Sequence, residues 1–517
     1  MFGVRLVFCK IIAMYVRKLK SRNGNRQIQV VQKIGRQNKV IRHLGTAINE
    51  LEANELINSA KQFIENQRIK SGKISLFDNR YSVSEMAETL SKFRIRRVLD
   101  SATFDFFYHF YQVLDFDSIG NKSFADLVIA RIIYPTSKAK TRDFLESKLN
   151  KRYSLSSLYR LMEEIYNLAF QSQLEEKMAA FVRISSLDIS VLFFDVTTLY
   201  YESFDEDDLR KFGFSKDNKA NQPQLVITLT VTADGFPLHL KVFPGNKFEG
   251  HLMLPCIKEI IKKHKLNDFV VVADSAMVSH TNMEELEKEN LSYVVGARLG
   301  NLPTKIWGKI ITVPKIDGVT KRFYLGNNRV LVVSYSQKRA NKDRSDLEKQ
   351  LKRAQFALNN PSVVSKRFKF LRKVKNHDLE LNTENIAKAQ LLEGLKGYVT
   401  NAANLTDEGI ITKYSQLWQV EKSFRISKSD LKARPIFHTA RKRIEAHLTI
   451  VFASLAIIHL VEKITGKSVQ KVLWLLDQVK EVVMESNVSR ERISKYSEVE
   501  NQETKDLLKL ARLNWGT

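Results

Sequence analysis

The chain has 517 residues, of which 83 are Lys or Arg and 57 are Asp or Glu, so its formal net charge is +26. The length suggests roughly three or four domains, and Cys9 and Cys256, the only cysteines, exclude a disulfide framework and a four-cysteine zinc site and fit a reducing compartment. The excess of positive charge favours nucleic acid or another polyanion as the partner.

The start of the chain is apolar but carries Arg5 and Lys10 and lacks a small-residue cleavage site. It is therefore not typical of a signal peptide. No stretch has 18 consecutive apolar residues, so the sequence predicts no transmembrane helix and no membrane partner. A strand pattern begins at Met14, and residues 1–13 are interpreted as an upstream extension.

Short strands are predicted in residues 14–48. A turn signal, Arg22-Asn-Gly-Asn-Arg26, is followed by β-favouring residues 27–33. The first 43 residues hold 11 Lys or Arg and no Asp or Glu. The sequence therefore predicts a small basic β region.

Residues 49–185 have a helical pattern. One of the predicted helices begins after Ser154, which is a good N-cap. Short helices joined by basic turns would suit a helix-turn-helix on DNA. An ordinary helical bundle is the alternative, so 49–185 is a candidate DNA-binding region.

Residues 186–303 change to an α/β pattern. Two apolar runs, Val191–Asp195 and Phe269–Asp274, each end in an aspartate. Further strands are predicted at 224–235, 236–243 and 292–297. Three antiparallel strands followed by alternating helices and strands is a ribonuclease-H-like order, so the predicted fold class is α/β.

Residues 304–396 interrupt this core. Their first half is β-rich, with strands predicted at 306–313, 319–324 and 330–335, and their second half, 338–375, is charged, basic and mostly helical. The core is predicted to resume at 397–465, with helices at 412–428 and 439–463. The tail, 466–517, is predicted to be helical.

Tyr414, Glu421 and Lys428 are spaced by seven residues, which is nearly two helical turns, so they share one helix face. Arg425 lies four residues after Glu421, close to that face. Glu421 can ligate a metal, the two cations can hold phosphates, and the phenol can hydrogen-bond one. A surface helix with ordinary charge pairs is the alternative.

Removing a carboxylate from water at the end of a buried strand costs much free energy. Asp195 and Asp274 are therefore expected to ligate a metal, to be paired with a cation or to be hydrogen-bonded. Each alone could be a helix cap or a turn residue. Together with Glu421 they can share two divalent cations, which activate the attacking oxygen and stabilise the leaving oxygen of a phosphodiester.

At these residues the chain resembles the DDE transposases of bacterial insertion sequences, in the branch with a β-rich insertion and the signature Tyr-x2-Arg-x3-Glu-x6-Lys. Tyr414, Glu421 and Lys428 match that signature, whereas Leu417 stands in the Arg position. The phosphate contact expected there is absent or has moved, for example to Arg425. The other matching stretches are Phe-Asp195-Val-Thr-Thr, Ala-Asp274-Ser, Tyr134-Pro-Thr-Ser-Lys138, Leu431–His438 and Arg443–His447.

The resemblance implies that Asp195, Asp274 and Glu421 are a catalytic triad that binds two Mg²⁺ ions, which Mn²⁺ can replace. The enzyme would hydrolyse a strand at the element's end and join the released 3′-hydroxyl to target DNA. Its partners would be double-stranded terminal repeats and target DNA, bound by a homodimer in the bacterial cytoplasm at the nucleoid. The candidate DNA contacts are Tyr414, Arg425, Lys428, Lys432 and Arg434.

Two alternative functions would be compatible with the same residues. One is a non-catalytic DNA-binding regulator derived from a transposase, which the presence of all three acids disfavours. The other is a metal-dependent nuclease of the same fold without strand transfer, which the large basic insertion disfavours.

Overall fold

The structure is a computed structural model that describes residues 14–20, 25–34, 37–70, 92–185, 187–202, 204–214, 221–264, 269–275, 279–360, 369–373, 379–487 and 490–513. The chain divides into two compact units. The first comprises residues 1–101, 478–499 and 515–517, and the second comprises 102–477 and 500–514. Residues 1–13, the extension inferred from the sequence, lie outside the described part.

The strands of the described residues are β1 (Met14–Lys20), β2 (Arg26–Ile34), β3 (Gln37–Ala47), β4 (Phe93–Leu99), β5 (Val191–Tyr200), β6 (Gln224–Thr232), β7 (Pro237–Pro244), β8 (Val270–Ala273), β9 (Ser292–Ala297), β10 (Thr320–Gly326), β11 (Arg329–Tyr335), β12 (Leu371–Lys373), β13 (Leu379–Leu381), β14 (Leu395–Thr400), β15 (Glu481–Ser486) and β16 (Arg492–Tyr496).

The helices are α1 (Glu50–Lys70), α2 (Ser101–Val113), α3 (Lys122–Ile133), α4 (Lys138–Leu149), α5 (Leu155–Asn167), α6 (Phe170–Ile184), α7 (Met253–His264), α8 (His280–Lys288), α9 (Thr304–Ile310), α10 (Gln337–Asn359), α11 (Thr383–Leu391), α12 (Asp407–Ser415), α13 (Trp418–Arg425), α14 (Arg441–Thr465), α15 (Val469–Leu476) and α16 (Gln502–Leu510).

The first unit contains the predicted basic β region. Strands β1, β2 and β3 form an antiparallel sheet in chain order. Its apolar face carries Ile28 and Val30, which pack with Ala60 and Ile64 of α1. Because alternate residues of a strand point to opposite faces, Gln29, which lies between these two positions, points to the other face of β2.

A second sheet in this unit contradicts two predictions. Its order is β16-β15-β4, all antiparallel. Strand β4 lies within the region predicted to be helical, and β15 and β16 lie in the tail predicted to be helical. The pairing joins segments almost 390 residues apart, so no local pattern signals it, and the buried Glu485 of β15 accepts hydrogen bonds from Arg94 at 2.8 Å and Arg96 at 2.7 Å.

The second unit is built on an eight-stranded sheet of order β10-β11-β14-β9-β8-β5-β6-β7. Strands β5, β8 and β9 are parallel, and the other pairings are antiparallel. The strands predicted at 224–235, 236–243 and 292–297 are confirmed, and the apolar run Val191–Asp195 forms the first half of β5. The near-continuous burial of β5 and β6 shows that this sheet is covered on both faces.

The segment 304–396 adds β10 and β11 to this sheet, where β14 pairs with β11 on one side and β9 on the other. The strand predicted at 306–313 is wrong, because Thr304–Ile310 is helix α9. A short apolar run fits both the two-residue period of a strand and the 3.6-residue period of a helix. Here Ile306 and Ile310 are spaced i, i+4 on one helix face. The buried Arg329 of β11 donates to Glu287 of α8 at 2.7 and 2.9 Å, which ties the added strands to the core.

Helices α2 to α6 and α14 form a helical layer of the second unit. The predicted cap is confirmed, since Ser154 Oγ accepts a hydrogen bond from the Ser157 amide at 3.0 Å. Helix α14 packs against α3, α5, α6 and β7. It is long and apolar enough to cross a membrane, but 94% of its most apolar window is buried against the protein, as in a core helix.

Candidate active site

Asp195 and Asp274 lie on neighbouring strands of the large sheet. Phe194 of β5 pairs with Ala273 of β8 in parallel register, and each aspartate is the next residue. Paired strands are about 4.8 Å apart, so the two aspartates occupy adjacent positions where β8 ends. Ligand sites of open α/β sheets lie at this carboxyl end.

Glu421 approaches the same strands from a helix. It lies on α13, whose buried side packs against β5 and β6. The prediction of one helix over 412–428 is wrong in detail, because α12 ends at Ser415, α13 begins at Trp418, and residues Ile426–Asp430 form a π-helical turn. The face shared by Tyr414, Glu421 and Lys428 is therefore assembled from three short helical segments.

Tyr414 is hydrogen-bonded to Asp274. Its hydroxyl donates to Asp274 Oδ1 at 3.0 Å. Burial, and then the charge of Asp274, raise the pKa of the phenol well above its usual value, so it remains a donor. The hydroxyl therefore fixes the orientation of the carboxylate.

Lys396 of β14 is a site residue that the sequence did not single out. Its ammonium lies 4.3 Å from the centre of the Tyr414 ring. Burial and the charge of Arg339 lower its pKa, and the nearby Asp274 and Glu421 oppose that change. A lysine at the start of an apolar strand was the signal available in the sequence.

A cavity of about 750 Å³ opens between these groups. Asp274, Tyr414 and Glu421 line it, and Leu417, which replaces the arginine of the signature, lines it too. The other charged residues of its wall are Arg298, Arg339, Asp343, Asp346, Lys369 and Lys396. Four cations thus face four carboxylates, so anionic groups can bind only beside local positive charge or with added cations.

Asp195 does not line this cavity. Its Oδ1 accepts a hydrogen bond from the Val196 amide at 2.7 Å. In the part of the chain that the structure describes, no three His, Cys, Asp or Glu side chains are grouped so that they could hold a metal ion. The three carboxylates therefore share one region of the sheet without forming a closed set of ligands.

The other predicted DNA contacts are distributed over three places. Lys428 Nζ donates to Thr197 Oγ1 of β5 at 2.7 Å, two residues beyond Asp195. Arg425 lines a separate cavity with Lys422 and Lys467. Lys432 and Arg434 line a third cavity.

The resemblance implies that Asp274 ligates a metal in a DNA-cleaving enzyme. On that basis we expect Tyr414→Phe to lower the rate of DNA strand cleavage by about 10- to 100-fold, the usual effect of losing a partner that orients a metal ligand. Duplex affinity should change little. Single-turnover cleavage and a binding titration measure the two quantities. Tyr324→Phe, at an exposed position on β10, is the matched control, and equal rates for both variants would refute an orienting role.

A known protein family matches the region of the chain that contains this site. The family model described as "Transposase DDE domain" matches residues 186–457. No curated protein matches the chain significantly. Among solved structures, a piggyBac transposase synaptic complex with hairpin DNA is 10% identical, over 73% of this chain and 70% of that one, with a TM-score of 0.37. That score is too low to establish a common fold.

Proposed function

The chain belongs to the transposase DDE-domain family, and from this premise we propose that it cleaves DNA at the ends of an insertion sequence and joins the released 3′-hydroxyl to target DNA. The observation that carries the proposal is the placement of Asp195, Asp274 and Glu421 around one end of β8. The net charge of +26 supplies the attraction for a polyanionic substrate.

We infer that the catalytic core is ribonuclease-H-like. The strand order β7-β6-β5-β8-β9, with three antiparallel strands followed by two parallel ones, supports this assignment. Strands β10 and β11, with α10, would be the insertion between the second aspartate and the glutamate.

The donors near β8 fit Mg²⁺ in kind, because carboxylate oxygens are the protein ligands that this ion prefers. Asp195, Asp274 and Glu421 would hold two such ions. When bound, Mg²⁺ activates the attacking oxygen and stabilises the leaving oxygen of a phosphodiester. Since the carboxylates form no closed ligand set, they would draw together when DNA binds, as catalytic groups often do.

Other groups of the protein would hold the two aspartates in place and contact the DNA. Tyr414 holds Asp274 by its hydroxyl, and Val196 holds Asp195 by its amide. Lys428, anchored at Thr197, can contact a phosphate beside Asp195. Joining two element ends to one target requires two copies of the chain, so a homodimer on DNA is part of the proposal.

Metal dependence tests this function. A plasmid carrying this gene with its native flanking DNA is incubated with the protein in Mg²⁺, Ca²⁺ or EDTA. We expect breaks at fixed flanking positions in Mg²⁺ and none in EDTA, followed by joined products.

The same assay separates the alternatives. Tight binding to the flanks without breaks in Mg²⁺ would favour the regulator. Breaks at scattered positions without joined products would favour a nuclease.

A further inference from the structure

The third cavity, of about 500 Å³, is lined by basic residues and lies in the second unit beside α4. It shares no lining residue with the cavity at Asp274. The charged or titratable residues of its wall include Arg131, Lys138, Lys432, Arg434, His438 and His447. No Asp or Glu belongs to its described wall. It is therefore a concave surface of one charge sign.

Two of these cations are buried without a counterion. Arg131 is 6% exposed and Lys138 is 3% exposed. The side chain of neither residue has a hydrogen bond or ion pair with any residue in the described ranges. Burial lowers the pKa of Arg131 to about 10, and burial with the charge of Arg131 lowers that of Lys138 well below its usual range.

Buried charges are costly unless they are paired, and Lys and Arg are almost never fully buried alone. Two adjacent unpaired cations repel each other as well. An arrangement of this kind is stabilised by an anion that enters the cavity and contacts both.

The surrounding groups also suit an anion. Lys138 is the first residue of α4, a 12-residue helix with Ser137 as its N-cap, and helix N-termini attract anions through their free amides and dipole.

The cavity is connected to the strand that carries Asp195. Tyr201 pairs with Ile436, and the Arg434 guanidinium lies 5.6 Å from the Tyr200 ring. Tyr201 lies six positions after Asp195 along extended chain, a distance of about 20 Å. Successive phosphates of a B-DNA strand advance about 3.4 Å along the axis, so one duplex can reach both places.

We propose that this cavity is a phosphate-binding site that holds a phosphate group of DNA away from the catalytic carboxylates. Arg131, Lys138 and the N-terminus of α4 are the groups that would attract the phosphate. The identification of DNA as the source of that phosphate rests on the proposed function. Either an internal phosphodiester or a 5′-terminal phosphate supplies the required group.

The first test uses inorganic phosphate without metal or DNA. Thermal unfolding of the full chain is followed in EDTA, with phosphate or chloride at equal ionic strength. The unmodified protein should show a larger rise in Tm with phosphate. Lys138→Met should have the higher Tm without phosphate, because a buried unpaired charge is removed, and most of its phosphate response should be lost.

Two further variants sharpen this test. Lys148→Met makes the same change at an exposed position of the same helix and should keep the full phosphate response. Lys138→Arg keeps the charge and should keep most of the response. If Lys138→Met is less stable than the unmodified protein and responds to phosphate like Lys148→Met, the cavity is not a phosphate site.

The second test identifies the source of the phosphate. Lys138→Met should reduce the slope of log K against log salt for duplex DNA by about one, with Lys148→Met as the control. An equal reduction for 5′-hydroxyl and 5′-phosphorylated duplexes identifies an internal phosphodiester. A reduction confined to phosphorylated duplexes identifies a terminal phosphate, and no reduction overturns the assignment to DNA.

These outcomes are independent of catalysis. Cleavage activity with an unchanged phosphate response in Lys138→Met would refute the cavity proposal alone. Loss of the phosphate response in a protein that cleaves no DNA would refute the transposase proposal alone.

Discussion

Replacing Glu421 with glutamine is expected to lower the rate of DNA strand cleavage by more than about 100-fold, with little change in affinity for duplex DNA. Loss of a partner that merely orients a metal ligand costs about 10- to 100-fold, and loss of a ligand should cost more. Glutamine keeps the shape of the side chain but removes the charge that attracts a divalent cation. Asp195→Asn and Asp274→Asn should behave in the same way.

Single-turnover cleavage in Mg²⁺ and a binding titration in Ca²⁺ measure the two properties separately. Glu408→Gln is the matched control, because Glu408 is an exposed acid on the neighbouring helix α12. If any of the three carboxamide variants cleaved at the unmodified rate, that residue would have no ligand role. If affinity fell in parallel with the cleavage rate, the residue would act in DNA binding.

The core of the fold could be predicted because its strands carry local signals. Val191–Tyr200 and Gln224–Thr232 are rich in apolar and β-branched residues, and both are central strands of the sheet. The tail could not be predicted, since β15 pairs with β4 across most of the chain. A segment whose partner is so distant has no marker in its own sequence beyond a short β-branched run.

The candidate site, like the fold, could be predicted from the sequence only in part. Asp195 and Asp274 end apolar runs, and the parallel register of β5 and β8 places them side by side. The spacing of Tyr414, Glu421 and Lys428 indicated a common face, but the helix breaks before α13 and widens after it. Those irregularities, and the approach of distant cations, depend on tertiary packing that residue spacing does not encode.

A buried carboxylate joins two helices to the outer strand β7. Glu175 of α6 is 1% exposed. Its Oε1 lies 3.0 Å from Nδ1 of His239 on β7, and its Oε2 accepts a hydrogen bond from Lys263 of α7 at 2.7 Å. His239 also interacts with Cys256 of α7. The edge of the sheet next to β6 and β5 is therefore held by charge as well as by apolar packing.

The cluster makes stability depend on pH in two windows. Burial alone would raise the pKa of Glu175, but His239 and then Lys263 lower it from 4.5 to about 2. Burial alone would lower the pKa of His239, but Cys256 and Glu175 raise it from 6.5 to about 9. The contribution of Glu175 is thus present above pH 4.5 and lost toward pH 2, and that of His239 is present below pH 6.5 and lost as pH rises through 9.

Glu175→Gln is expected to lower the free energy of unfolding by about 3–5 kcal/mol at pH 7, since removing one partner of a buried pair leaves the other charge uncompensated. His239 would then lose the part of its raised pKa that Glu175 causes, so the decline in stability between pH 6.5 and 9 should become smaller in the variant. Urea unfolding across this pH range measures both effects. Glu176→Gln, at the exposed neighbouring position, is the control; if the two variants unfolded alike, the cluster would not be what holds β7 against α6 and α7.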